Sequence, residues 1–281
     1  MIVAKPFLKW AGGKTQLLGQ LREYYPANIK NYYEPFLGGG AVFFDIISRV
    51  KENIYLSDLN EDLVLTYQSV QKEVELLFRA LRAMQSNYFS LPQVDRGNYF
   101  YFVRENFNRE RNLSIERAAQ FIFLNKTCFN GLHRVNQKGW FNVPFGNYNK
   151  PKILDTDNLT SVADALDGVS LTANSFEYLQ DCEIGKGDFI YLDPPYRPLK
   201  KTSFTKYSSE FTDDDQIRLA RLFKVLSYRG AKLMLSNSDT DDGFYERYYA
   251  GFNIHKVTAK RMINCVGKGR GIVNEVLIKN Y

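Results

Sequence analysis

Asp193, Pro194, Pro195 and Tyr196 stand together directly after the apolar run Phe189-Ile190-Tyr191-Leu192. That run reads as a buried strand, opened by Gly187-Asp188 and closed by the two prolines. A proline pair cannot continue a β-ladder, because φ is locked and no N–H is offered. The neighbouring carbonyls are left without sheet partners and point beyond the strand end. An acid, a free carbonyl and an aromatic ring are thereby held at one spot. Such a trio suits a flat ring carrying an exocyclic amino group. The acid and carbonyl accept from the NH2, and the Tyr196 ring stacks on the face. A strand that merely ends in a proline turn would give the same tetrapeptide, so other segments must decide.

A second constellation lies earlier. Phe36-Leu37-Gly38-Gly39-Gly40 follows a short strand, and its glycines let backbone approach a ligand closely. Asp58 ends the next strand, about twenty residues after the first glycine, where an acid accepts from a ribose diol. The pattern fits a nucleoside ligand. Val42 and Phe43 break the Gly-x-Gly-x-x-Gly spacing, so no pyrophosphate cradle is evident, which favours S-adenosylmethionine over a dinucleotide. Gly13-Lys14-Thr15 matches the end of a phosphate loop, but Leu8 stands where that loop needs its first glycine, and too little chain precedes it for a strand. Trp10 and Lys14 read instead as an aromatic wall and a polar contact beside the cofactor.

A third group is suited to reading bases. Asn130-Gly131-Leu132-His133-Arg134 and Asn142-Val143-Pro144-Phe145-Gly146-Asn147-Tyr148 combine an arginine for a guanine edge, apolar groups for a thymine methyl, and amide and phenol groups for bases or phosphates. An aromatic hairpin with no ligand would look similar.

These groups need elements to hold them. Tyr32–Phe36 and Asn53–Ser57 read as strands, with a helix from Ala41 to Val50 between them. Leu63, Tyr67, Val70, Val74, Leu77, Phe78 and Leu81 recur at helical spacing, as do Ala118, Phe121, Ile122 and Asn125 after a Ser114 cap. Residues 130–150 read as a hairpin with exposed loops. Strands are then expected at Ser170–Thr172, Phe189–Leu192, Lys232–Ser236, Phe252–Val257 and Ile272–Ile278. Helices are expected after the capping box at Thr212–Asp215 and over Asp241–Tyr249. The pattern predicts an α/β, Rossmann-like sheet, with 1–60 and 151–281 as the catalytic domain. Residues 61–150 form an inserted, mainly helical target-recognition lobe containing the hairpin.

Composition agrees. The chain has 281 residues, a formal charge of +6 and a sequence pI near 9.0, which fits a polyanionic partner. Residues 95–150 carry Arg96, Arg104, Arg109, Arg111, Arg117, Lys126, Arg134, Lys138 and Lys150 against Asp95, Glu105, Glu110 and Glu116. Lys256, Lys260, Arg261, Lys268 and Arg270 form a second basic run. Cys128, Cys182 and Cys265 show neither metal spacing nor a disulfide framework, and His133 and His255 are isolated, so no metal is expected. Without a leader pattern or a long apolar run, a cytoplasmic protein with no membrane contact is expected.

Phe-Leu-Lys-Trp-Ala-Gly-Gly-Lys at 7–14, Glu-Pro-Phe-Leu-Gly-Gly-Gly at 34–40, Asn-Gly-Leu-His-Arg at 130–134, Asn-Val-Pro-Phe-Gly at 142–146 and Asp-Pro-Pro-Tyr at 193–196 resemble the Dam family of DNA adenine-N6 methyltransferases. Their order is that of the alpha class of amino-methyltransferases, and the likeness runs nearly end to end. It implies a methyl group moved from S-adenosylmethionine to a flipped adenine in GATC, by an enzyme acting as a monomer on double-stranded DNA. The product cofactor is S-adenosylhomocysteine. Carried over by motif position, Trp10, Lys14, Phe36, Gly38, Gly39, Gly40, Asp58, Phe176 and Asp193 would line the cofactor pocket. Asp193, Pro194, Pro195 and Tyr196 would carry catalysis. Lys9 and Tyr148 would read the outer guanine, Leu132, Arg134 and Pro144 the following base pairs, with Asn130 beside the flipped nucleotide. Two departures stand out. Asn174-Ser175-Phe176 replaces the Gly-Asp-Phe of many relatives, and Phe129 replaces a tyrosine. Three rival readings remain: a methyltransferase on another base, sequence or RNA; a catalytically silent DNA-binding protein; and a phosphate-loop ATPase.

Overall fold

The computed structural model describes residues 3–198, 211–260 and 272–281. The basic segments with Lys200, Lys201 and Lys206, and with Arg261, Lys268 and Arg270, lie outside the described residues, as does Cys265. In chain order the elements are α1 (Leu18–Leu21), β1 (Tyr32–Glu34), α2 (Ala41–Ile46), β2 (Ile54–Asp58), α3 (Glu61–Ser90), α4 (Arg96–Arg109), α5 (Ile115–Thr127), α6 (Thr156–Ala165), β3 (Ser170–Ala173) and β4 (Phe189–Leu192). They continue with α7 (Asp213–Tyr228), β5 (Lys232–Ser238), α8 (Phe244–Tyr248), β6 (Asn253–Lys260) and β7 (Ile272–Lys279). The chain divides into two compact units, the first formed by 1–13, 38–44 and 60–167, the second by 14–37, 45–59 and 168–281.

The second unit holds a seven-stranded sheet in the order β3-β2-β1-β4-β5-β7-β6. From β3 to β5 neighbouring strands run parallel, whereas β7 lies antiparallel to both β5 and β6. The chain moves outward from β1 to β2 on one side, and β4 then takes the other side of β1. Such a reversal opens a crevice at the carboxyl ends of the two central strands, where ligands of doubly wound sheets bind. The register Tyr32↔Phe189 and Tyr33↔Ile190 brings the segments after Glu34 and Leu192 out side by side. Strand β4 is buried at all four positions, as a central parallel strand must be. Ile190, Leu192, Leu233 and Leu235 pack with Leu219, Phe223 and Leu226 of α7. That helix opens with the expected box: the Thr212 hydroxyl caps the Asp215 N–H and the Asp215 carboxylate caps Thr212.

The first unit is built on α3 to α6. Asn60 caps α3 and Ser114 caps α5, each through its side-chain oxygen. Arg117 of α5, 4% exposed, grips Asp62 of α3 with two nitrogens and also donates to the Phe107 and Glu110 carbonyls. Between 128 and 146 the chain doubles back, yet its pairing is confined to isolated antiparallel bridges at Cys128↔Phe145 and Val135↔Phe141. Pro144 has no N–H to offer, and Asn130 and Asn147 take left-handed φ, which stops a regular ladder. Two expected helices are shorter than their sequence pattern. The first passes into a 3-10 turn after Ile46, and the last starts only after the left-handed Gly243.

Candidate active site

Strand β4 ends at Leu192, and the next side chain, Asp193, turns toward the start of the second unit. Lys14 Nζ lies 2.8 Å from Asp193 Oδ2, and the two side chains are 4% and 19% exposed. The other carboxylate oxygen, Oδ1, is buried and has no hydrogen-bond partner among the described residues. A buried acceptor left unsatisfied is costly and marks a place where a donor is missing. Burial pushes the Asp193 carboxyl up to about 6, with Lys14 holding it down and Glu275 adding to the rise. Lys14 is therefore not a phosphate-loop lysine pointing into a glycine cradle. Its ammonium is engaged by an acid and lies 4.7 Å from the centroid of the Tyr196 ring.

The prolines do what the sequence implies for the backbone, with one difference. The Pro195 carbonyl accepts from Gln216 Nε2 at 2.9 Å, so it is not free. The Pro194 carbonyl has no hydrogen bond among the described residues. Tyr196 donates its hydroxyl to Glu275 Oε2 of β7 at 2.6 Å, which fixes the ring edge. Phe36, after β1, stacks on Phe176 with centroids 5.6 Å apart and meets Phe211 edge-on. Asp58 ends β2, and its carbonyl accepts from the Asn174 N–H at 3.2 Å. Lys14, Phe36, Asp58, Phe176 and Asp193 to Tyr196 thus all belong to the second unit.

In the first unit, Trp10 lies on the glycine turn. Gly38 has φ +49°, and a Cβ there would stand 2.7 Å from Trp10 Cδ1, so only glycine fits. On Trp10 also stacks His133, with centroids 5.4 Å apart and planes 17° from parallel. Burial pushes this histidine down to about 4, so it is a neutral packing group. Next to Trp10, the Lys9 N–H donates to Asn125 Oδ1 at 2.9 Å, while Asn125 Nδ2 donates to the Lys9 and Gly131 carbonyls. Lys9 Nζ lies 5.0 Å from the Tyr148 ring centroid, and the Tyr148 hydroxyl accepts from the Asn130 N–H at 2.9 Å. Lys9, Asn130 and Tyr148 are thus brought together with Gly131. Leu132 is half-buried, Arg134 and Pro144 exposed. Arg134 uses Nε and one Nη2 hydrogen on Asn142, which aims the guanidinium and leaves further donors available.

Residues 10–263 match the family model of the D12 class N6 adenine-specific DNA methyltransferases. The chain belongs to this family. Among its relatives are the type II methyltransferase M.MjaIII of Methanocaldococcus jannaschii, 50% identical over 99% of both chains, and M1.LlaDCHI of Lactococcus lactis, 36% identical over 99% of this chain and 95% of the relative. The DNA adenine methylase of Escherichia coli is 32% identical over 97% of this chain and 94% of its own.

The methyltransferase also carries site-neighbouring groups that the sequence reading missed: Glu275 under Tyr196, Gln216 on the Pro195 carbonyl, and Asn125 and His133 around Lys9 and Trp10. A usable signal existed for one more. Ser236, Asn237 and Ser238 are consecutive polar residues in an otherwise apolar strand, and all are at most 2% exposed. A buried polar run of that kind must be hydrogen-bonded to something. Among the described residues no helix is long and apolar enough to cross a membrane, and no group of three metal-binding side chains occurs.

Proposed function

We propose that this D12-class enzyme methylates the N6 amino group of adenine within GATC in duplex DNA, taking the methyl group from S-adenosylmethionine and acting as a monomer on a flipped base. The observation that carries the reading is Asp193: a carboxylate with Lys14 on one oxygen and a second, buried oxygen that has no hydrogen-bond partner among the described residues. The residues present fit the cofactor. Phe36, just after β1, stacks on Phe176, and Asp58 ends β2 where an acid meets a ribose diol. S-adenosylmethionine, when bound, supplies a methyl group made electrophilic by its sulfonium.

The chain's own residues then have defined tasks. An adenine amino group is a poor nucleophile, because its lone pair is shared with the ring, and inside a duplex it is paired. Flipping costs a few kcal/mol, offset by stacking and pocket hydrogen bonds. Tyr196 is the stacking platform, steadied by Glu275. Asp193 Oδ1 and the Pro194 carbonyl accept the two amino hydrogens and draw the nitrogen toward tetrahedral geometry. Lys14 keeps Asp193 ionised against its burial. Rate then comes from positioning and from negative charge aimed at the nitrogen as it turns positive.

The target-recognition role of 61–150 rests on Asn130, Leu132, Arg134, Pro144 and Tyr148, together with Lys9. Arg134 would take a guanine edge, Lys9 and Tyr148 the outer guanine, and Leu132 and Pro144 the intervening pairs. The test is methyl transfer from labelled S-adenosylmethionine to duplexes with GATC, each single-base variant, and RNA. Label confined to GATC as N6-methyladenine is expected. Label on another sequence would discard these readers, and bound cofactor with no label anywhere would leave a silent DNA-binding protein.

A further inference from the structure

Two prolines lock φ at 194 and 195 but leave ψ free, so they alone do not set the direction of the Tyr196 ring or of the carbonyl before it. That direction is set from outside the motif. Asn237 Oδ1 accepts from the Arg197 N–H at 3.0 Å and from the Ser238 N–H at 2.9 Å. Both donors are backbone, so the Asn237 amide can face them only with its oxygen. Its Nδ2 must then face Gln216 Oε1, which it meets at 3.1 Å, and Gln216 Nε2 must face the Pro195 carbonyl, which it meets at 2.9 Å. Ser238 completes the set by donating its hydroxyl to the Arg197 carbonyl. Gln216, Asn237 and Ser238 are 1%, 0% and 2% exposed, so water does not replace these bonds.

We propose that Gln216 and Asn237 are positioning residues for methyl transfer. They form a one-way amide relay that clamps the peptides on both sides of Tyr196 and leaves the Pro194 carbonyl as the motif's open acceptor. The inference rests on the reading that Asp193 to Tyr196 carries methyl transfer. Reaction geometry tolerates little error, and a displacement of about 1 Å costs on the order of a hundredfold in rate.

The test is single-turnover transfer at saturating S-adenosylmethionine and saturating duplex of the sequence the parent enzyme methylates. Gln216→Met keeps the shape and removes both amide bonds. Asn237→Asp keeps the acceptor for Arg197 and Ser238 but deletes the donor. Gln216 must then turn its NH2 to the acid and its oxygen against the Pro195 carbonyl. Each variant is expected to transfer about ten- to a hundredfold more slowly, with cofactor and duplex dissociation constants within about threefold of the parent. The double variant is expected to be no slower than the worse single one, because both cut the same relay. A purely structural role would lower the melting temperature and leave transfer by the folded enzyme intact. If Asn237→Asp fails to fold, Gln216→Met decides alone, and transfer within about twofold of the parent overturns the inference. Asp193→Ala is run beside it. An inactive Asp193→Ala with a fully active Gln216→Met sinks only the relay, whereas an active Asp193→Ala sinks the reading of the motif itself.

Discussion

Replacing Asp193 by asparagine separates charge from shape. Lys14 offers only donors, so the asparagine oxygen must face it and the amide NH2 takes the place of Oδ1, which removes both the acceptor and the negative charge that would strengthen the bond as the adenine nitrogen becomes positive. A hydrogen bond to a charged group is worth about 1.5–3 kcal/mol, so the loss corresponds to roughly ten- to a hundredfold in rate. The parent enzyme should show a matching pH effect. Burial pushes Asp193 up to about 6. The ionised acceptor is therefore present above that pH and is lost as the pH falls through it. Single-turnover transfer should decline toward low pH, approaching tenfold per unit well below about 6, while the asparagine variant stays flat through that range. Asp193→Ala is a harsher change, because it also removes the carboxylate 2.8 Å from the buried Lys14 ammonium. Removing one partner of a buried ion pair costs about 3–5 kcal/mol of stability. Denaturant unfolding must therefore accompany the rate measurement. Transfer by Asp193→Asn within about threefold of the parent at about pH 8, or a parent profile flat through pH 6, would refute the role assigned to this carboxylate.

Arg134→Ala should cost about 1–3 kcal/mol of discrimination at one guanine position and leave the others alone; an unchanged preference across substituted sites removes it from the readers. Gly38→Ala places a Cβ against Trp10 at a left-handed φ that costs about 1–2 kcal/mol, so S-adenosylmethionine should bind about tenfold more weakly by calorimetry, and parental affinity would separate Trp10 from the cofactor. Asp62→Ala strands the buried Arg117 and should lower stability by about 3 kcal/mol; an unshifted urea midpoint would show that Arg117 is satisfied by its two carbonyl acceptors alone.

Local features were legible where local chemistry suffices. The capping box at Thr212–Asp215, the Ser114 cap, the buried strand Phe189–Leu192 and the proline break after it each depend on neighbours within a few residues. Spacing also supplied the glycine turn and Asp58. The two short helices are shorter than their spacing implies, because the chain tightens into a 3-10 turn at Ile47–Arg49 and because Asp241 and Asp242 stand before the left-handed Gly243. That the Pro195 carbonyl is held by Gln216, a residue on the next helix, has no local signal in the sequence.

By itself, then, the sequence determined the chemical groups, the order of the strands and, through its motifs, the family, while the helices α1, α4 and α6 were not marked by its spacing. The groups, strand order and motifs depend on residue type and spacing along the chain. Only the tertiary structure decided that β4 sits beside β1, that β7 runs antiparallel between β5 and β6, and that Lys14 meets Asp193 across 179 positions of chain. It likewise decided which oxygen of Asp193 is left open and which side chains clamp Tyr196. Such facts follow from long-range packing in a low-dielectric interior, where each buried polar group must find its partner from a distant segment.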